Sequence, residues 1–384
     1  MNLLIGASLS SPIRKNNNKN KQKKMISGNG HRGKDYHLSG GGCVEVQPPK
    51  EGEVRIKVMF TAICDTDIYQ LSGTDPRVKF PTIVGHEGAG VVESVGPGVQ
   101  SVRAGDHVIP LPLCQCRECD VCADPTSNLC RKFLYFSENQ QMLYDGTTRF
   151  SCRGQPIYHF IGCSTFSEYT VTPEIAVAKI DPSLPLDRMA LLGCGVTTGY
   201  GSPIKGCPIR AGSTVGVWGM GAVGLAAVMG ARDMGAKRIV AIDVNTDRLK
   251  AAKVFGATDL INPNELDESV PQFLTKKFDG GIDFAFEATG DAEAMAQAFE
   301  STKKSKKVPI PNGLLLQGRT LMGNTVGGFK TRDDVPMLAE KYKDGALQLD
   351  EFISWRCSLD QINEAWDKFQ RGEGIRSMIS VSNE

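Results

Sequence analysis

The sequence contains no apolar run that approaches the roughly eighteen residues of a membrane-spanning helix, so its pattern indicates no such helix. It also lacks an excess of either charge: the net charge is +1, and no global field favours nucleic acid or a membrane surface as a partner. We find no internal repeat. The hydrophobic content of 41% and the charged content of 23% are typical of globular proteins, and 384 residues are enough for two domains.

Acidic residues are absent from the start of the chain. Eight lysines and arginines precede the first acidic residue, Asp35. A segment with this bias and little hydrophobicity cannot bury enough apolar surface to fold, so we predict that residues 1–40 form a disordered basic tail. A transit peptide for organelle import is the alternative for such a basic, serine-containing start. The expected location is therefore cytoplasmic, with organelle import as the alternative.

The twelve cysteines are unevenly distributed, and five of them fall between residues 114 and 130. Such clustering favours a metal site over a disulfide framework. Four cysteines follow the spacing C-x2-C-x2-C-x7-C, which allows four thiolates to surround one tetrahedral ion, and structural zinc is the favoured ion. An iron–sulfur cluster, which would continue with x3-C-P, and free thiols are the alternatives. Cys114 is out of register, and the predicted ligands are Cys116, Cys119, Cys122 and Cys130.

A glycine-rich turn lies between two apolar runs in the middle of the chain. The run Thr214–Trp218 leads directly into the pattern G-x-G-x-x-G, which permits a tight turn, close approach to a pyrophosphate and close helix packing. The N-terminus of the following helix attracts phosphates. A carboxylate at Asp243 can accept both ribose hydroxyls and would repel a 2′-phosphate, which favours NAD over NADP. A glycine turn in an unrelated α/β protein is the alternative. The predicted NAD-binding residues of the turn are Gly219, Gly221, Ala222, Val223 and Gly224.

Strand patterns separate the chain into a β-rich part and an α/β part. Residues 53–60 alternate with period two, and short strand patterns follow at 81–89, 88–96 and 104–109, with glycine and proline between them. This spacing indicates a barrel-like β domain. After Asp243 strand patterns alternate with helical ones, which indicates a parallel sheet.

Five motifs, in this order, resemble the zinc-containing medium-chain alcohol dehydrogenases, especially the animal branch that includes the glutathione-dependent formaldehyde dehydrogenases. They are Cys64-x-Thr66-Asp67, the segment 85–90 (GHEGAG), the four-cysteine group, Gly193-Cys194-Gly195 and the glycine turn. The resemblance implies an α/β fold in which a Rossmann doubly wound parallel sheet is inserted into a β-rich GroES-like catalytic domain. We expect the catalytic domain over residues 41–197 and 327–384, and the NAD-binding domain over residues 198–326. It also implies NAD and two Zn²⁺ per subunit, an alcohol or aldehyde as substrate, and a homodimer.

The same resemblance assigns roles to individual residues. Cys64, His86 and Cys194 would hold a catalytic zinc that keeps a fourth position for water or alcohol, and Glu87 is an occasional ligand. Each of these residues alone could instead belong to a buried core. The roles beyond the metal are proton transfer by Thr66, orientation of His86 by Asp67, the end of the proton relay at Tyr69, contact with adenosine by Arg248 and contact with pyrophosphate by Arg376.

The implied activity is zinc-dependent oxidation of primary or secondary alcohols to aldehydes or ketones with hydride transfer to NAD. Three departures from the family pattern bear on it. Asp65 places a carboxylate where relatives carry a basic residue against the pyrophosphate, so we expect weaker NAD binding. Leu134 replaces the arginine that holds glutathione in the formaldehyde branch, which favours simple alcohols over the alternative substrate, S-(hydroxymethyl)glutathione.

The third departure concerns the cofactor sheet. Four lysines within residues 303–307 and two prolines shortly after them replace an apolar strand of the family, and proline is excluded from central strands. We therefore predict that the NAD-binding domain lacks a strand near residues 301–312. A non-catalytic NAD- and zinc-binding relative is the alternative function that such a loss would produce.

Overall fold

The computed structural model describes residues 2–6, 44–73, 78–303 and 320–382, with the main chain alone at 2–6, 134, 136, 137 and 320–322. The chain divides into two compact units. The parallel-sheet unit comprises strand β1 (Asn2–Gly6) and residues 195–329. The antiparallel-sheet unit comprises the described residues from 44 to 194 and from 330 onward. None of the described helices combines the length and the apolar character that crossing a membrane requires.

The antiparallel-sheet unit consists mainly of short strands. These are β2 (Val44–Val46), β3 (Glu53–Ala62), β4 (Glu87–Val95), β5 (His107–Pro110), β6 (Phe150–Cys152), β7 (Gln155–Ile157), β8 (Tyr169–Pro173), β9 (Val177–Lys179), β15 (Ile353–Ser358) and β16 (Arg376–Ser380). Its α-helices are α1 (Asp65–Ser72), α2 (Asp120–Ala123), α3 (Arg131–Asn139), α4 (Leu186–Met189), α10 (Thr331–Lys343) and α11 (Ile362–Gln370). Short 3₁₀ turns cover Glu174–Ala176, Ala190–Gly193, Asp350–Phe352 and Leu359–Gln361.

Strand β3 lies at the centre of the larger sheet of this unit. Val54, Ile56 and Val58 are fully buried, because residues two apart share one face of a strand. The strand order is β15-β16-β3-β4-β5-β9, with β8 also beside β3, and a smaller sheet has the order β2-β6-β7. In the register of β3 and β4, Ala62 pairs with Glu87. The chain that leaves β3 and the chain that enters β4 therefore meet at one edge of the sheet.

A buried ion pair links the start of β3 to the strand β6 region. Arg149 donates to both carboxylate oxygens of Glu53, at 2.8 Å from Nε and 2.5 Å from Nη2, and both side chains are fully buried. The Arg149 backbone N–H donates to Nε2 of the buried His159 at 3.1 Å. Burial, together with the charge of Arg149, lowers the pKa of His159 to about 3. His159 is therefore a neutral acceptor at physiological pH.

The parallel-sheet unit alternates strands and helices. Its remaining strands are β10 (Thr214–Trp218), β11 (Arg238–Ile242), β12 (Asp259–Ile261), β13 (Phe284–Glu287) and β14 (Thr320–Asn324). Its α-helices are α5 (Gly195–Gly201), α6 (Ala222–Asp233), α7 (Thr246–Phe255), α8 (Val270–Lys277) and α9 (Ala292–Glu300). A π-helical turn covers Ser202–Gly206, and 3₁₀ turns cover Pro263–Glu265 and Val326–Gly328.

All six strands of this sheet are parallel, in the order β12-β11-β10-β13-β1-β14. The inner strands β10, β11 and β13 are almost wholly buried, as expected when helices cover both faces of a parallel sheet. Side chains cap two of the helices: Asn245 accepts backbone N–H groups at the start of α7, and Asp291 does so at the start of α9. The predicted fold class, a doubly wound parallel sheet with a β-rich second part, is confirmed.

Strand β1 corrects one sequence-based prediction. Residues 2–6 were expected to belong to a disordered tail, but they form a strand that pairs with β13 on one side and β14 on the other. Strand β1 thus lies at the sheet position between β13 and β14, and the missing strand near residues 301–312 stays a prediction. Of that segment, residues 304–312 lie outside the described residues, as do residues 7–40 of the predicted tail.

Candidate active site and dinucleotide turn

The first candidate ligand, Cys64, lies at the junction between β3 and α1. Its extended backbone, with φ −128° and ψ 157°, makes it the N-cap residue of α1. Asp67, in the first turn of the helix, accepts the Cys64 N–H at Oδ2 over 3.0 Å. This reciprocal cap determines where the helix begins, and it therefore holds Cys64 in place.

The other oxygen of Asp67 holds His86. Asp67 Oδ1 accepts the Gly85 N–H at 2.9 Å and lies 2.9 Å from His86 Nδ1. Because an ionised carboxylate only accepts hydrogen bonds, Nδ1 carries the proton and Nε2 keeps its lone pair. Among the described residues, the buried His86 Nε2 has no hydrogen-bond partner. This arrangement is the one found where a histidine coordinates a metal through Nε2.

Cys194 reaches the same place from a distant part of the sequence. Gly193 permits the approach, because a Cβ at this position would lie 2.8 Å from His86 O and 3.0 Å from Glu87 Cα. The ligand atoms of Cys64, His86, Glu87 and Cys194 all lie within 4.8 Å of one another. The structure thus brings together the four residues to which the resemblance assigns the catalytic metal.

The two thiols of this group differ in their preferred protonation state. A hydrogen bond with Cys194 holds the pKa of Cys64 well below its ordinary value, against the cost of burial. The pKa of Cys194 is raised by the same hydrogen bond and by burial. Cys64 is therefore the thiol that is readily available as a thiolate, the form that binds metals.

Glu87 forms a buried ion pair with Arg376. Arg376 Nε donates to Glu87 Oε2 at 2.9 Å, and Nη2 donates to Oε1 at 3.0 Å. Arg376 Nη2 also lies 3.8 Å from Cys64 Sγ. Burial raises the pKa of Glu87 to about 7, although the guanidinium opposes the shift. The resemblance assigned Arg376 to pyrophosphate, whereas in this unit its donors are directed at Glu87, a pairing that the sequence did not predict.

The candidate residues for proton transfer lie on α1. Thr66 is half-buried, and its Oγ1 lies 3.9 Å from Cys64 Sγ. Tyr69 is half-buried on the same helix, one turn further on. Asp65, the first residue of the helix, is exposed. The pKa of Arg376 lies above its ordinary value. Burial alone would lower this pKa, but the nearby negative charges, including that of Asp65, outweigh burial.

The donor atoms of this group fit Zn²⁺. Sulfur from two cysteines and nitrogen from one histidine are preferred zinc ligands, and three protein ligands are usual for a zinc site that keeps one position for a reactant. Two thiolates and a neutral imidazole balance the charge of the ion. The buried Nε2 of His86 supplies the independent structural support, since it has no other partner among the described residues.

The four-cysteine group lies between β5 and α3, and α2 lies within it. The sulfur atoms of its members are within 4.8 Å of one another. Backbone N–H groups point at two of them: Cys119 N–H donates to Cys116 Sγ at 3.4 Å, and Cys122 N–H donates to Cys119 Sγ at 3.4 Å. Such donors stabilise thiolates, so the group fits a structural Zn²⁺. The members of the group are Cys116, Cys119, Cys122 and Cys130.

The fifth cysteine of this segment contacts the group without belonging to it. Cys114 is buried and forms a hydrogen bond with Cys130. That bond lowers the pKa of Cys130 to about 4, against the effect of burial. Cys114 therefore acts as a hydrogen-bond donor to a ligand sulfur and is absent from the four sulfurs that surround the candidate ion.

The glycine turn follows β10 and opens α6. Gly219 has φ +87°, a left-handed conformation that favours glycine. A Cβ at Gly224 would lie 1.7 Å from Gly219 O, so only glycine allows α6 to approach the turn. A Cβ at Gly221 would meet nothing within 4 Å, which leaves an open cradle over the helix N-terminus that Ala222 and Val223 begin. This cradle fits the pyrophosphate of a dinucleotide.

Asp243 directly follows the carboxyl end of β11. Its Oδ2 accepts the Met220 N–H at 2.7 Å and its Oδ1 accepts the Asn245 N–H at 2.8 Å. The carboxylate is half-exposed, so lone pairs remain for ribose hydroxyls. Arg248 lies in the first turn of α7 and is half-buried, with its backbone N–H 3.2 Å from Asn245 Oδ1.

A buried carboxylate at the carboxyl end of strand β13 was not predicted from the sequence. Glu287 ends β13, and it accepts the N–H groups of Thr289 at 2.5 Å and Gly290 at 3.1 Å. Burial raises its pKa. The turn that it holds packs on the glycine turn, since a Cβ at Gly219 would lie 2.7 Å from Thr289 Cγ2. An acid directly after an apolar strand, at the edge where α/β proteins bind ligands, was the available signal.

Two family models match the chain. One describes an alcohol dehydrogenase GroES-like domain and matches residues 50–182; the other describes a zinc-binding dehydrogenase and matches residues 222–341. The alcohol dehydrogenase class-3 of Caenorhabditis elegans is 45% identical over 354 residues, which cover 88% of this chain and 92% of the relative. That of Myxine glutinosa is 46% identical over 351 residues, which cover 88% and 93%.

Solved structures are similar over the same extent. An alcohol dehydrogenase zinc-binding domain protein from Burkholderia ambifaria has a TM-score of 0.80 at 32% identity, and benzyl alcohol dehydrogenase from Acinetobacter calcoaceticus has a TM-score of 0.80 at 29% identity. Each match covers 88% of this chain and 94% of the other. With the resemblance confirmed, the chain belongs to the zinc-containing, NAD-dependent medium-chain alcohol dehydrogenases, in the animal branch of that family.

Proposed function

We propose that this protein oxidises primary or secondary alcohols to aldehydes or ketones, and that Cys64, His86 and Cys194 hold its catalytic zinc. The observation that carries the proposal is the convergence of these ligand atoms within 4.8 Å, together with a buried His86 Nε2 that has no other partner in the described part of the chain. Zinc at this position would lower the pKa of an alcohol hydroxyl, and NAD is the acceptor of the hydride.

Three residues near the candidate zinc ligands have proposed roles in this reaction. Asp67 keeps the proton of His86 on Nδ1 and so leaves Nε2 available as a ligand. The Thr66 hydroxyl lies close to Cys64 Sγ, and we propose that it accepts the proton that the alcohol loses. Tyr69, one turn along α1, would pass that proton on toward solvent.

Glu87 and Arg376 have two proposed roles each. Their ion pair balances charge within a buried site. We also propose Glu87 as an occasional metal ligand, because its carboxylate lies within the ligand group, and Arg376 as a contact of the NAD pyrophosphate. Each of these second roles requires the ion pair to separate.

The proposed cofactor contacts lie in the parallel-sheet unit. The turn residues offer an open cradle at the N-terminus of α6, and Asp243 offers a half-exposed carboxylate to the adenine ribose. We propose that NAD binds through these residues and through the side chain of Arg248. The turn residues are Gly219, Gly221, Ala222, Val223 and Gly224.

Simple alcohols are the proposed substrates, because Leu134 removes the cation that would hold the carboxylate of glutathione. The identity of 44–46% with alcohol dehydrogenases of class 3 favours the second candidate, S-(hydroxymethyl)glutathione. The two substrates differ in their need for glutathione, so an assay can separate them.

NADH formation measured together with zinc content tests the proposal. Ethanol, octanol and formaldehyde would each be offered with and without glutathione. We expect two Zn²⁺ per subunit, one for each ligand group, and NADH from ethanol or octanol without glutathione. Turnover that requires both formaldehyde and glutathione would identify the second candidate. Zinc and NAD binding without turnover of any of the substrates would identify a non-catalytic relative.

Assembly and location complete the proposal. We propose a homodimer in the cytoplasm, with organelle import through the basic residues 1–40 as the alternative. Sedimentation of the purified protein tests the first statement. Localisation of the full chain beside a variant that lacks residues 7–34, and so keeps strand β1, tests the second.

A further inference from the structure

The parallel sheet has the usual doubly wound strand order, but one position is filled from a remote part of the chain. Side by side, the strands lie in the order β12-β11-β10-β13-β1-β14. Numbered along the chain from residue 195, β10, β11 and β12 are the first three strands of the doubly wound pattern, β13 is the fourth, and β14 holds the place of the sixth. In a doubly wound sheet of order 3-2-1-4-5-6, the fifth strand lies between the fourth and the sixth. Here that position belongs to β1, more than two hundred residues earlier in the sequence.

The chain that follows α9 runs beside the start of the β13 segment, at the level of this fifth position. Ile282 N–H donates to Ser301 O at 3.0 Å, and Lys303 N–H donates to Ile282 O at 2.9 Å, so Thr302 bridges Ile282 in parallel. Lys303 also pairs with Asp283 at 2.8 Å. Two residues further along, Phe284 pairs with Asn2. Two chain segments therefore lie end to end along the same side of residues 282–287: residues 301–303 and strand β1.

The two segments differ in composition. Residues 303–307 contain four lysines, and residues 309 and 311 are prolines, which an inner strand of a parallel sheet excludes. Residues 3–5 are Leu-Leu-Ile, the apolar sequence that such a strand requires. The register runs from Asn2 to Ile5 on β13 and from Asn2 to Gly6 on β14, so β1 pairs on both sides along nearly its whole length.

We propose that residues 2–6 are an inserted strand that completes the dinucleotide-binding sheet, and that their carboxyl end forms part of the surface that receives the nicotinamide half of NAD. Asp243, the candidate contact of the adenine ribose, follows β11 on one side of β10. The other half of the dinucleotide then lies on the opposite side, over the carboxyl ends of β13, β1 and β14. Gly6, which pairs with Asn324, lies at that edge.

This proposal extends the proposed function to a second part of the sheet. It rests on the binding of NAD, and does not rest on the turnover of any alcohol. NAD binding and zinc content are therefore measured separately from activity, so that a failure of the strand and a failure of the proposed reaction are distinguishable.

The decisive pair of full-length variants is Leu4→Pro and Leu4→Val. Proline removes a backbone donor from the middle of β1, whereas valine keeps the donor and favours strands. We expect Leu4→Pro to weaken NAD binding by about tenfold or more, because each lost buried hydrogen bond is worth roughly a fivefold change and the strand would be displaced as a whole. Leu4→Val should bind NAD like the unaltered protein. Equal NAD dissociation constants for the two variants would overturn the proposal.

Zinc content and hydrogen exchange show where the effect arises. Both variants should retain zinc, because the ligand groups belong to the antiparallel-sheet unit. In the unaltered protein the amides of residues 3–6 should exchange slowly, together with those of β13. Exchange of residues 3–6 at the rate of an unstructured peptide would contradict the inserted strand whatever the NAD affinity.

Should Leu4→Pro also lose zinc or fail to fold, complementation by a peptide replaces it as the test. A variant that lacks residues 2–6 would be refolded with a synthetic peptide of residues 1–10, or with the same peptide carrying proline at position 4. Recovery of NAD binding with the first peptide alone supports the proposal. No difference between the two peptides overturns it.

Discussion

The two candidate metal-ligand groups of this protein contain the same kinds of donor atom but are assembled in opposite ways. The four-cysteine group takes all its ligands from residues 116–130, whereas the catalytic group extends from Cys64 to Cys194. A short loop closes at a small entropic cost, and a long one needs the surrounding fold to hold its ends together. The first group is therefore a property of a local segment, and the second is a property of the whole antiparallel-sheet unit.

The removal of one ligand of the catalytic group should have the largest effect on activity. We expect Cys64→Ser to lower the turnover rate by about a thousandfold or more, because a metal contributes several kcal/mol of charge stabilisation in the transition state. The four-cysteine group should retain its zinc, so the zinc content falls by half. Steady-state kinetics with metal analysis checks both outcomes. Cys357→Ser is the control, since Cys357 is a buried thiol outside both groups; similar losses in the two variants would contradict the assignment.

Removal of a ligand from the local group should affect stability more than chemistry. In Cys119→Ser we expect the loss of one zinc and a decrease of several kcal/mol in the free energy of unfolding, because structural zinc contributes directly to folding. The matched control is Cys163→Ser, which changes a buried thiol outside both groups. Denaturant unfolding of the two variants measures the difference; equal unfolding free energies and zinc contents would show that Cys119 is not a ligand.

Acid should destabilise the antiparallel-sheet unit, which contains both His159 and the catalytic group. The pKa of His159 is about 3 in the folded protein and roughly 6.5 in an unfolded chain, so the unfolded state takes up the proton first. The stabilisation from His159 is complete above pH 6.5 and is lost as the pH falls from 6.5 toward 3. We expect His159→Gln to reduce the slope of unfolding free energy against pH by about 1.4 kcal/mol per unit between pH 4 and 6.

Denaturant titrations at several pH values would measure that slope, with His107→Gln as the control. Glutamine at position 159 still offers an oxygen to the Arg149 N–H, which histidine accepts at 3.1 Å, but it does not titrate. An unchanged slope in His159→Gln would mean that other groups control the acid sensitivity of this unit.

A smaller change weakens the catalytic group without removing a ligand. Asp67→Asn keeps the size of the side chain but replaces a pure acceptor by an amide that can donate to His86 Nδ1. We expect zinc affinity at the catalytic group to fall by about 10- to 100-fold, with no change at the four-cysteine group. Asp65→Asn, an exposed neighbour on the same helix turn, is the control. Competition with a zinc-selective chelator measures both sites, and matching affinities in the two variants would argue against a positioning role for Asp67.

The smallest expected effect is a change in the NAD dissociation constant. Asp65→His removes a negative charge where relatives carry a basic residue, and we expect the NAD dissociation constant to fall about two- to fivefold, the range of one exposed charge interaction. Zinc content should not change in either group. Titration by NADH fluorescence at low and high salt measures the effect. An unchanged dissociation constant at low salt would show that Asp65 does not weaken cofactor binding.

Local patterns in the sequence predicted the parts of the protein that local physics controls. The spacing of four cysteines, the period-two pattern of residues 53–60 and the glycine turn each describe contacts within a short segment. For the catalytic group the sequence supplied the motifs around Cys64, His86 and Cys194, and the resemblance to a family joined them. Spacing alone could not do so, because Cys64 and Cys194 meet only after β3 pairs with β4 and Gly193 passes the chain beside His86.

Contacts between remote segments were the ones that sequence analysis missed. The ion pair of Glu87 with Arg376 joins β4 to the last strand of the same unit, and no local pattern marks either residue as the partner of the other. The buried Glu287 could have been noticed at the end of its strand, but its role in holding the turn against Gly219 depends on the packing of β13 beside β10.

The sequence by itself determined which four cysteines group together, the position of the glycine turn and the family, because each depends on residue types at short, characteristic spacings. Only the tertiary structure decided which strand completes the parallel sheet. A five-residue apolar segment gives too weak a signal to be distinguished from a tail, and the gap that it fills exists only when β13 and β14 lie on either side of it. The paired backbone groups of those two strands, and not any property of residues 2–6 alone, give that segment its place.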